Sequence, residues 1–409
     1  MRAGSGRCLV SYRSEDRGLA TNRFAIRKAN EKKSRYFDIN LILVVIFLLI
    51  FGLVMVYSSS SYDAFLTFDG DASYYVRKQI LSTLVGLVVM VLVALWPYQH
   101  LEKMAWFMYV ASIVIIFLII PFGHEANGAK RWIYIGGISV QPAEIAKAAM
   151  IIFLACIISR MGRAVSTWRG FAMVLGMVAP ISILLWAVTS NASSAIIVMA
   201  IAVIMLFVST PDYKRYIIGA VGVVMVSALV VIIIVANASR GAGSTGGYRG
   251  DRILAWLDPD AYASGKAFQT LQARYAIGSG GFFGKGLGES MQKLGFIPEA
   301  QNDMIFSVIC EELGLFGALA LLFMFIFLLW RLKIIADNSR DLFGALLVVG
   351  VMGHIAIQVI LNIAVVTGTI PNTGISLPFI SYGGSATLFL LAEIGLALSV
   401  ARGIQVRDL

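Results

Sequence analysis

Charge is the scarcest resource in this chain. Asp, Glu, Lys and Arg make up 14% of its 409 residues, where a soluble domain carries about 25%. With 59% apolar residues, a single water-facing core is excluded, because it could not hold so much apolar surface. Cysteine is nearly absent too. Cys8, Cys156 and Cys310 show no paired spacing, which excludes a disulfide framework and a cysteine metal knuckle. A cleavable signal peptide is also not expected, since the first apolar block begins near Ile39, behind a polar tail, and is too long for a signal h-region. The net charge of +10 would suit a nucleic-acid binder. In a chain this apolar, however, basic residues collect in cytoplasmic loops, and no nucleic-acid partner is expected.

What the chain has in abundance is long apolar blocks. Ten of them approach the roughly 20 residues needed to cross a bilayer: 39–57, 80–96, 104–121, 141–159, 171–188, 193–208, 216–236, 304–330, 342–366 and 386–400. The expected fold is an all-α polytopic membrane protein with ten transmembrane helices. With the N-terminus inside, most of the 33 Lys and Arg fall on inner segments, as the positive-inside rule requires. Both termini are then cytoplasmic: a basic tail over 1–38, expected to be disordered and to lie near anionic lipid, and a short end over 404–409. The membrane domain covers 39–403. Three outer segments stand out, 124–140, 237–303 and 368–385. The longest contains Trp256, Phe268, Tyr275, Phe282, Phe283 and Phe296, too much apolar material for a bare linker. Short amphipathic helices are expected near 252–257 and 268–277.

Polar side chains in or beside lipid are costly and mark candidate sites. Arg77-Lys78-Gln79 opens the second block, either snorkelling to the interface or holding a phosphate. Pro142 suits a first helical turn, and Gln141, Glu144 and Lys147 share one face. Glu144 and Lys147 read either as a structural ion pair or as the wall of a polar cavity, with Lys130 and Arg131 at its mouth. Asp303 stands before the eighth block, behind Glu299. Locally it reads as an N-cap, and a helix N-terminus would keep it ionised. Glu311 and Glu312 lie inside that block and cannot share a face, so at least one pairs elsewhere or is protonated. Finally, the stretch 371–385 includes Pro378, Ser381, Gly383, Gly384 and Ser385. It reads as a re-entrant loop, or as an amide cluster able to bind an anion, with Ser385 capping the last helix.

These patches, in this order on ten helices, resemble the SEDS family (shape, elongation, division and sporulation). The motifs that carry the resemblance are Lys130-Arg131-Trp132-Ile133 with Gln141-Pro142-Ala143-Glu144, Ala276–Gly281, Gly286-Leu287-Gly288, Pro298–Asp303, Glu311–Gly314 and Leu377–Ser385. They cover nearly the whole chain from the first helix onward. The resemblance implies an inverting glycosyltransferase that joins lipid-linked disaccharides of the lipid II type at the outer face of the bacterial cytoplasmic membrane. It implies Asp303 as the catalytic carboxylate, with Lys78, Glu144 and Lys147 in a cavity below it. Arg249, Arg252, Gln269 and Gln272 fall in a shared loop pattern. A divalent cation, Mg2+ or Mn2+, is implied as cofactor. The implied partners are a single-span class B penicillin-binding transpeptidase and other division membrane proteins. Asn191 departs from the pattern, standing where many members carry an Asp. The segment Glu289–Gly295, with its Gln-Lys pair, looks more like the division type, with the elongation and sporulation types as near alternatives.

Chemically, Asp303 would act as general base on the acceptor hydroxyl. Fixed cations or amides would stabilise the leaving pyrophosphate, drawn from Lys78, Lys130, Arg131 and Lys147. A lipid II flippase and a non-catalytic scaffold for a transpeptidase are the competing functions, separated by whether purified protein makes polymer.

Overall fold

The structure is a computed structural model that describes residues 38–404 except 127–128, 136–137, 211, 240–246 and 266. The tail before Asp38 and the end beyond Ile404 lie outside the described residues. Among the described residues, ten helices are long and apolar enough to cross a membrane. They are α1 (Ile39–Thr67), α2 (Tyr74–Leu95), α3 (Gln99–Phe117, prolonged by the short α4, Ile119–Phe122), α5 (Pro142–Met161), α6 (Trp168–Ala187), α7 (Ala192–Ser209), α8 (Tyr213–Ser239), α11 (Ile305–Asp337), α12 (Leu342–Val366) and α13 (Gly384–Ala401). Between α8 and α11 lie two shorter helices, α9 (Gly247–Leu257) and α10 (Phe268–Gly280), close to where the amphipathic segments were expected.

The spans divide by burial. In α5, α12 and α13 about two thirds or more of the spanning window is buried, against 0% in α8, whose residues face lipid. The centre of the bundle is therefore α5, α12 and α13, with α2 packed along α13, α3 along α5, and α7 and α11 along α12. Ala143, Ala146, Ala149 and Ala155 are all buried on α5, and small residues of this kind let neighbouring helices approach closely in lipid.

Two elements differ from the expected outline. Residues 124–140 form a three-stranded antiparallel sheet, β1 (His124–Ala126), β2 (Ala129–Ile135) and β3 (Ile138–Val140), with Ile133 opposite Val140. The β-branched and aromatic run Trp132-Ile133-Tyr134-Ile135 is the strand signal there. Helix α1 also continues well past Tyr57. Its serine run does not stop the helix, because hydroxyls fold back onto the preceding turn, as in Ser59 Oγ to the Val56 carbonyl at 3.3 Å. At its other end, Asp38 caps α1 by accepting from the Leu41 amide at 2.9 Å and pairs with Arg331 at 2.7 Å.

Helix α11 is interrupted at Gly314 (φ 67°, ψ −166°). A Cβ there would lie 2.3 Å from the Gly284 amide nitrogen, so both the backbone angle and the close approach require glycine. The 281–286 segment bridges the interruption. Lys285 and Gly286 amides donate to the carbonyls of Glu311 and Glu312, while Leu315 and Phe316 amides donate to those of Gly281 and Phe282. Residues 315–337 alone exceed the roughly 20 residues a bilayer span needs, so Glu311 and Glu312 need not stand at mid-membrane.

Both acids anchor the long loop. Glu311 accepts from Lys285 Nζ at 2.6 Å, Ser290 Oγ at 2.5 Å and the amides of Met291 and Gln292. Glu312 meets Lys293 Nζ at 2.8 Å and Ser58 Oγ at 2.6 Å. Lys293→Met would leave a fully buried carboxylate without its cation, a loss of about 3–5 kcal/mol. The expected result is a clear drop in the thermal midpoint of the purified protein, largely recovered in the Lys293→Met/Glu312→Gln double variant.

Candidate active site

Alternation of the spans places five connecting segments on one face: 68–73, 123–141, 188–191, 240–304 and 367–383. They meet there. Ser193 Oγ donates to the Thr373 carbonyl at 2.6 Å, Arg131 to the Ser190 carbonyl at 3.1 Å, Trp256 Nε1 to the Gly368 carbonyl at 2.8 Å, and the Tyr382 amide to the Gln301 carbonyl at 2.9 Å.

Asp303 lies at the junction of these segments, half-buried just before α11. It is not the N-cap expected from its position. Met304 occupies that place without a side-chain cap, and the Asp303 carboxylate turns instead to α10, where Gln269 Nε2 donates to Oδ1 at 3.3 Å. The same Nε2 donates to the Pro298 carbonyl at 3.0 Å. Gln269 Oε1 accepts from Asn372 Nδ2 at 2.9 Å, and Arg252 Nη1 donates to the Asn372 carbonyl at 3.1 Å. The carboxylate is thus the end of a fixed chain running Arg252–Asn372–Gln269–Asp303. Gly374, with φ +68°, lies beside it; a Cβ there would sit 3.8 Å from Oδ2, an ordinary contact, so it is the backbone angle that favours glycine.

Burial is the main cause that pushes the Asp303 carboxyl up to about 6, with the negative charge of Glu299 adding to it; Arg252 and the Gln269 hydrogen bond pull the other way. Part of the side chain is still open to solvent, which limits the desolvation. Glu299 itself is exposed, in a left-handed conformation (φ 51°), and accepts from Asn302 Nδ2 at 3.0 Å.

The other sequence candidates separate into accessible and committed groups. Glu144 and Lys147 pair at 2.8 Å with side chains only 7% and 1% exposed. Lys147 is therefore sealed against its partner, below a Pro142 at the first turn and an N-cap Gln141 that makes no side-chain cap bond. Arg131 ties β2 to the α6–α7 connection, while Lys130 is exposed beside it. Lys78 is exposed on α2, hydrogen-bonded to the Tyr74 hydroxyl with its ammonium 4.3 Å from the ring centre. Gln272 is half-buried on α10. Arg249 is on α9, but its side chain lies outside the described residues.

The 377–385 turn is not an open anion cradle. Ser381 Oγ accepts from the Leu377 amide at 2.8 Å, the Gly383 amide donates to Gln79 Oε1 at 3.1 Å, and Pro378 is buried. Gly384 packs on Ser82. Ser385 is buried but does not cap α13, whose N-cap is Gly383. Asn191 serves as the N-cap of α7, accepting from the Ser194 amide at 3.0 Å. An Asp could make the same bond, so the substitution preserves the cap while removing a charge. Among the described residues, no three His, Cys, Asp or Glu side chains come together as a metal cage. The divalent ion implied by resemblance therefore has no all-protein cage among the described residues.

Sequence reading missed Asn362, Asn372, Ser58 and Lys293. Asn372 and Lys293 lay inside quoted motifs but gave no sign of their partners. Asn362 looked like one polar residue in an apolar block, and Ser58 like the end of a helix.

Comparison with known proteins follows the same outline. A sequence profile of the FtsW/RodA/SpoVE family, described as cell cycle protein, matches residues 39–405. Stage V sporulation protein E of Bacillus subtilis is 36% identical over 370 residues, covering 89% of this chain and 97% of that protein. A probable peptidoglycan glycosyltransferase FtsW of Trichlorobacter lovleyi is 36% identical over 375 residues, covering 91% and 95%. Among solved structures, a chain of a peptidoglycan synthase complex that coordinates polymerization and crosslinking superposes with a TM-score of 0.73 at 26% identity, covering 90% of this chain and 98% of that one. The rod shape determining protein RodA of Thermus thermophilus shares the fold, with a TM-score of 0.65 at 24% identity over 90% of this chain and 97% of that one. From the ten spans to the loop that presents Asp303, this chain belongs to the FtsW/RodA/SpoVE family.

Proposed function

We propose that this chain is a peptidoglycan glycosyltransferase that polymerises lipid II at the extracytoplasmic face of the bacterial cytoplasmic membrane. The observation that carries the reading is the Asp303 carboxylate, half-buried between the long loop and the 367–383 segment and oriented by Gln269. Its relatives named FtsW and stage V sporulation protein E support the division and sporulation side of the family, and the Gln292-Lys293 pair agrees. The positive-inside distribution of Lys and Arg supports an outer location for the Asp303 face.

An acceptor hydroxyl is a weak nucleophile at neutral pH. A carboxylate beside it takes its proton as the new glycosidic bond forms, and the diphosphate lipid leaves with added negative charge. Lys78 and Lys130, both exposed on this face, are the cations placed to meet that charge, because Lys147 is sealed and Arg131 and Arg252 are tied to loop carbonyls. Part of the outer loop, including the segment anchored by Glu311 and Glu312, is available to a class B penicillin-binding transpeptidase. The similarity to a chain from a synthase complex supports such a partner.

The direct test is incubation of the purified protein with labelled lipid II. Glycan polymer is expected; translocation in vesicles without polymer would instead identify a flippase. The pH profile gives a second check. The base works only when ionised, so kcat/KM should fall as pH drops through about 6 and level off above it. Gln269→Ala removes a bond to the charged form and should move this limb to higher pH. Glu299→Gln removes a like charge and should move it lower. Shifts of the same sign in both variants would argue against Asp303 as the titrating base.

A further inference from the structure

We propose that Asn362 is a positioning residue for the reaction, setting the place of the Asp303 carboxylate by clamping the Asp303 backbone to the 371–385 loop. Asn362 sits near the end of α12, fully buried. Its Nδ2 donates to the Asp303 carbonyl at 2.8 Å and to the Ile375 carbonyl at 2.7 Å. One carboxamide thus uses both of its amide hydrogens on two different loops, one carrying the base and one carrying Gly374, which lines the base. No other asparagine or glutamine of α12 makes such a bridge among the described residues. α12 is one of the most buried helices in the bundle, so the clamp is mounted on a rigid support, as a site held to a fraction of an ångström requires.

The geometry explains why an amide is needed there. An aspartate at 362 would present two acceptors to two carbonyls, and a leucine none of the donors. With the donor gone, two buried carbonyls lose their partner, and the 303 and 375 backbones are free to separate. The Asp303 carboxylate then shifts against Gln269, whose bond to it is already long at 3.3 Å.

This inference rests on Asp303 acting as the base. Activity retained by Asp303→Asn would remove that reading, whereas the outcomes below concern Asn362 alone. The test compares Asn362→Ala and Asn362→Asp with Gln358→Met in purified full-length protein, using lipid II polymerisation. Gln358 is the matched control, since it lies one turn away on the same face, is 2% exposed, and makes no hydrogen bond to either loop among the described residues. Both Asn362 variants are expected to fold and to lose about 10²-fold in kcat, the size of a small misplacement of a reacting group, with KM nearly unchanged. Their acid limb should move to higher pH, as in Gln269→Ala, although the charged groups acting on Asp303, Glu299 and Arg252, are intact. Gln358→Met should keep kcat and its pH limb. Three results would overturn the proposal: wild-type kcat and pH limb in a folded Asn362 variant, an equal kcat loss in Gln358→Met, or failure of both Asn362 variants to fold, which would make Asn362 a fold determinant instead.

Discussion

Asp303→Asn should make little or no glycan polymer while reaching the membrane at normal levels. The substitution keeps side-chain shape and can still accept from Gln269, and no helix cap is lost because Asp303 does not cap α11. What disappears is proton acceptance. General-base catalysis typically contributes 10²–10⁴-fold, and kcat should fall by about that factor. Because the carboxyl is pushed up to about 6, the remaining activity should also lose the wild-type acid limb. Binding of labelled lipid II should change little, since no cation is removed. Polymer made at near wild-type rate would remove Asp303 from the mechanism.

The second large effect is expected at Lys147→Met. The ammonium is 1% exposed and pairs with Glu144, whose Oε2 is buried with no hydrogen-bond partner among the described atoms. Removing the cation strands a charge in the centre of the bundle, at a cost of about 3–5 kcal/mol. Membrane levels of the single variant should drop sharply and its thermal midpoint with them. The double variant Glu144→Gln/Lys147→Met removes both charges and should recover level and midpoint. Polymerisation by that double variant separates the two roles left open by the sequence. Recovery of activity with stability makes the pair structural, whereas a stable but inactive double variant would return Lys147 to the substrate site.

The architecture could be read largely from the chain itself, because apolar length and basic-loop asymmetry are local and additive. All ten apolar blocks fall on a long helix of the structure, and the helix ends differ mainly where polar residues find partners. The serines of α1 illustrate this: Ser58 looks like a terminator until Glu312, far along the chain, accepts its hydroxyl. The β-sheet at 124–140 was hidden by its shortness and by neighbouring glycines. At the site, Asp303 and Gln269 were named from motif and resemblance, but the chain linking them through Asn372 to Arg252 is a product of two connecting segments folding together. No sequence spacing encodes it. The same holds for Lys147, whose burial decides against an accessible phosphate ligand, and for Gly383, whose amide is consumed by Gln79.

The interruption at Gly314 breaks the backbone ladder of α11, but the loop above closes the gap. The 281–293 segment holds residues 305–313 through two backbone bonds and two acid anchors, and it also accepts the Leu315 and Phe316 amides from beyond the break. The loop therefore acts as a splint across the joint. A load placed on it from outside the membrane would be shared by both pieces of the helix, so the stretch leading to Asp303 stays in register with the long rod below.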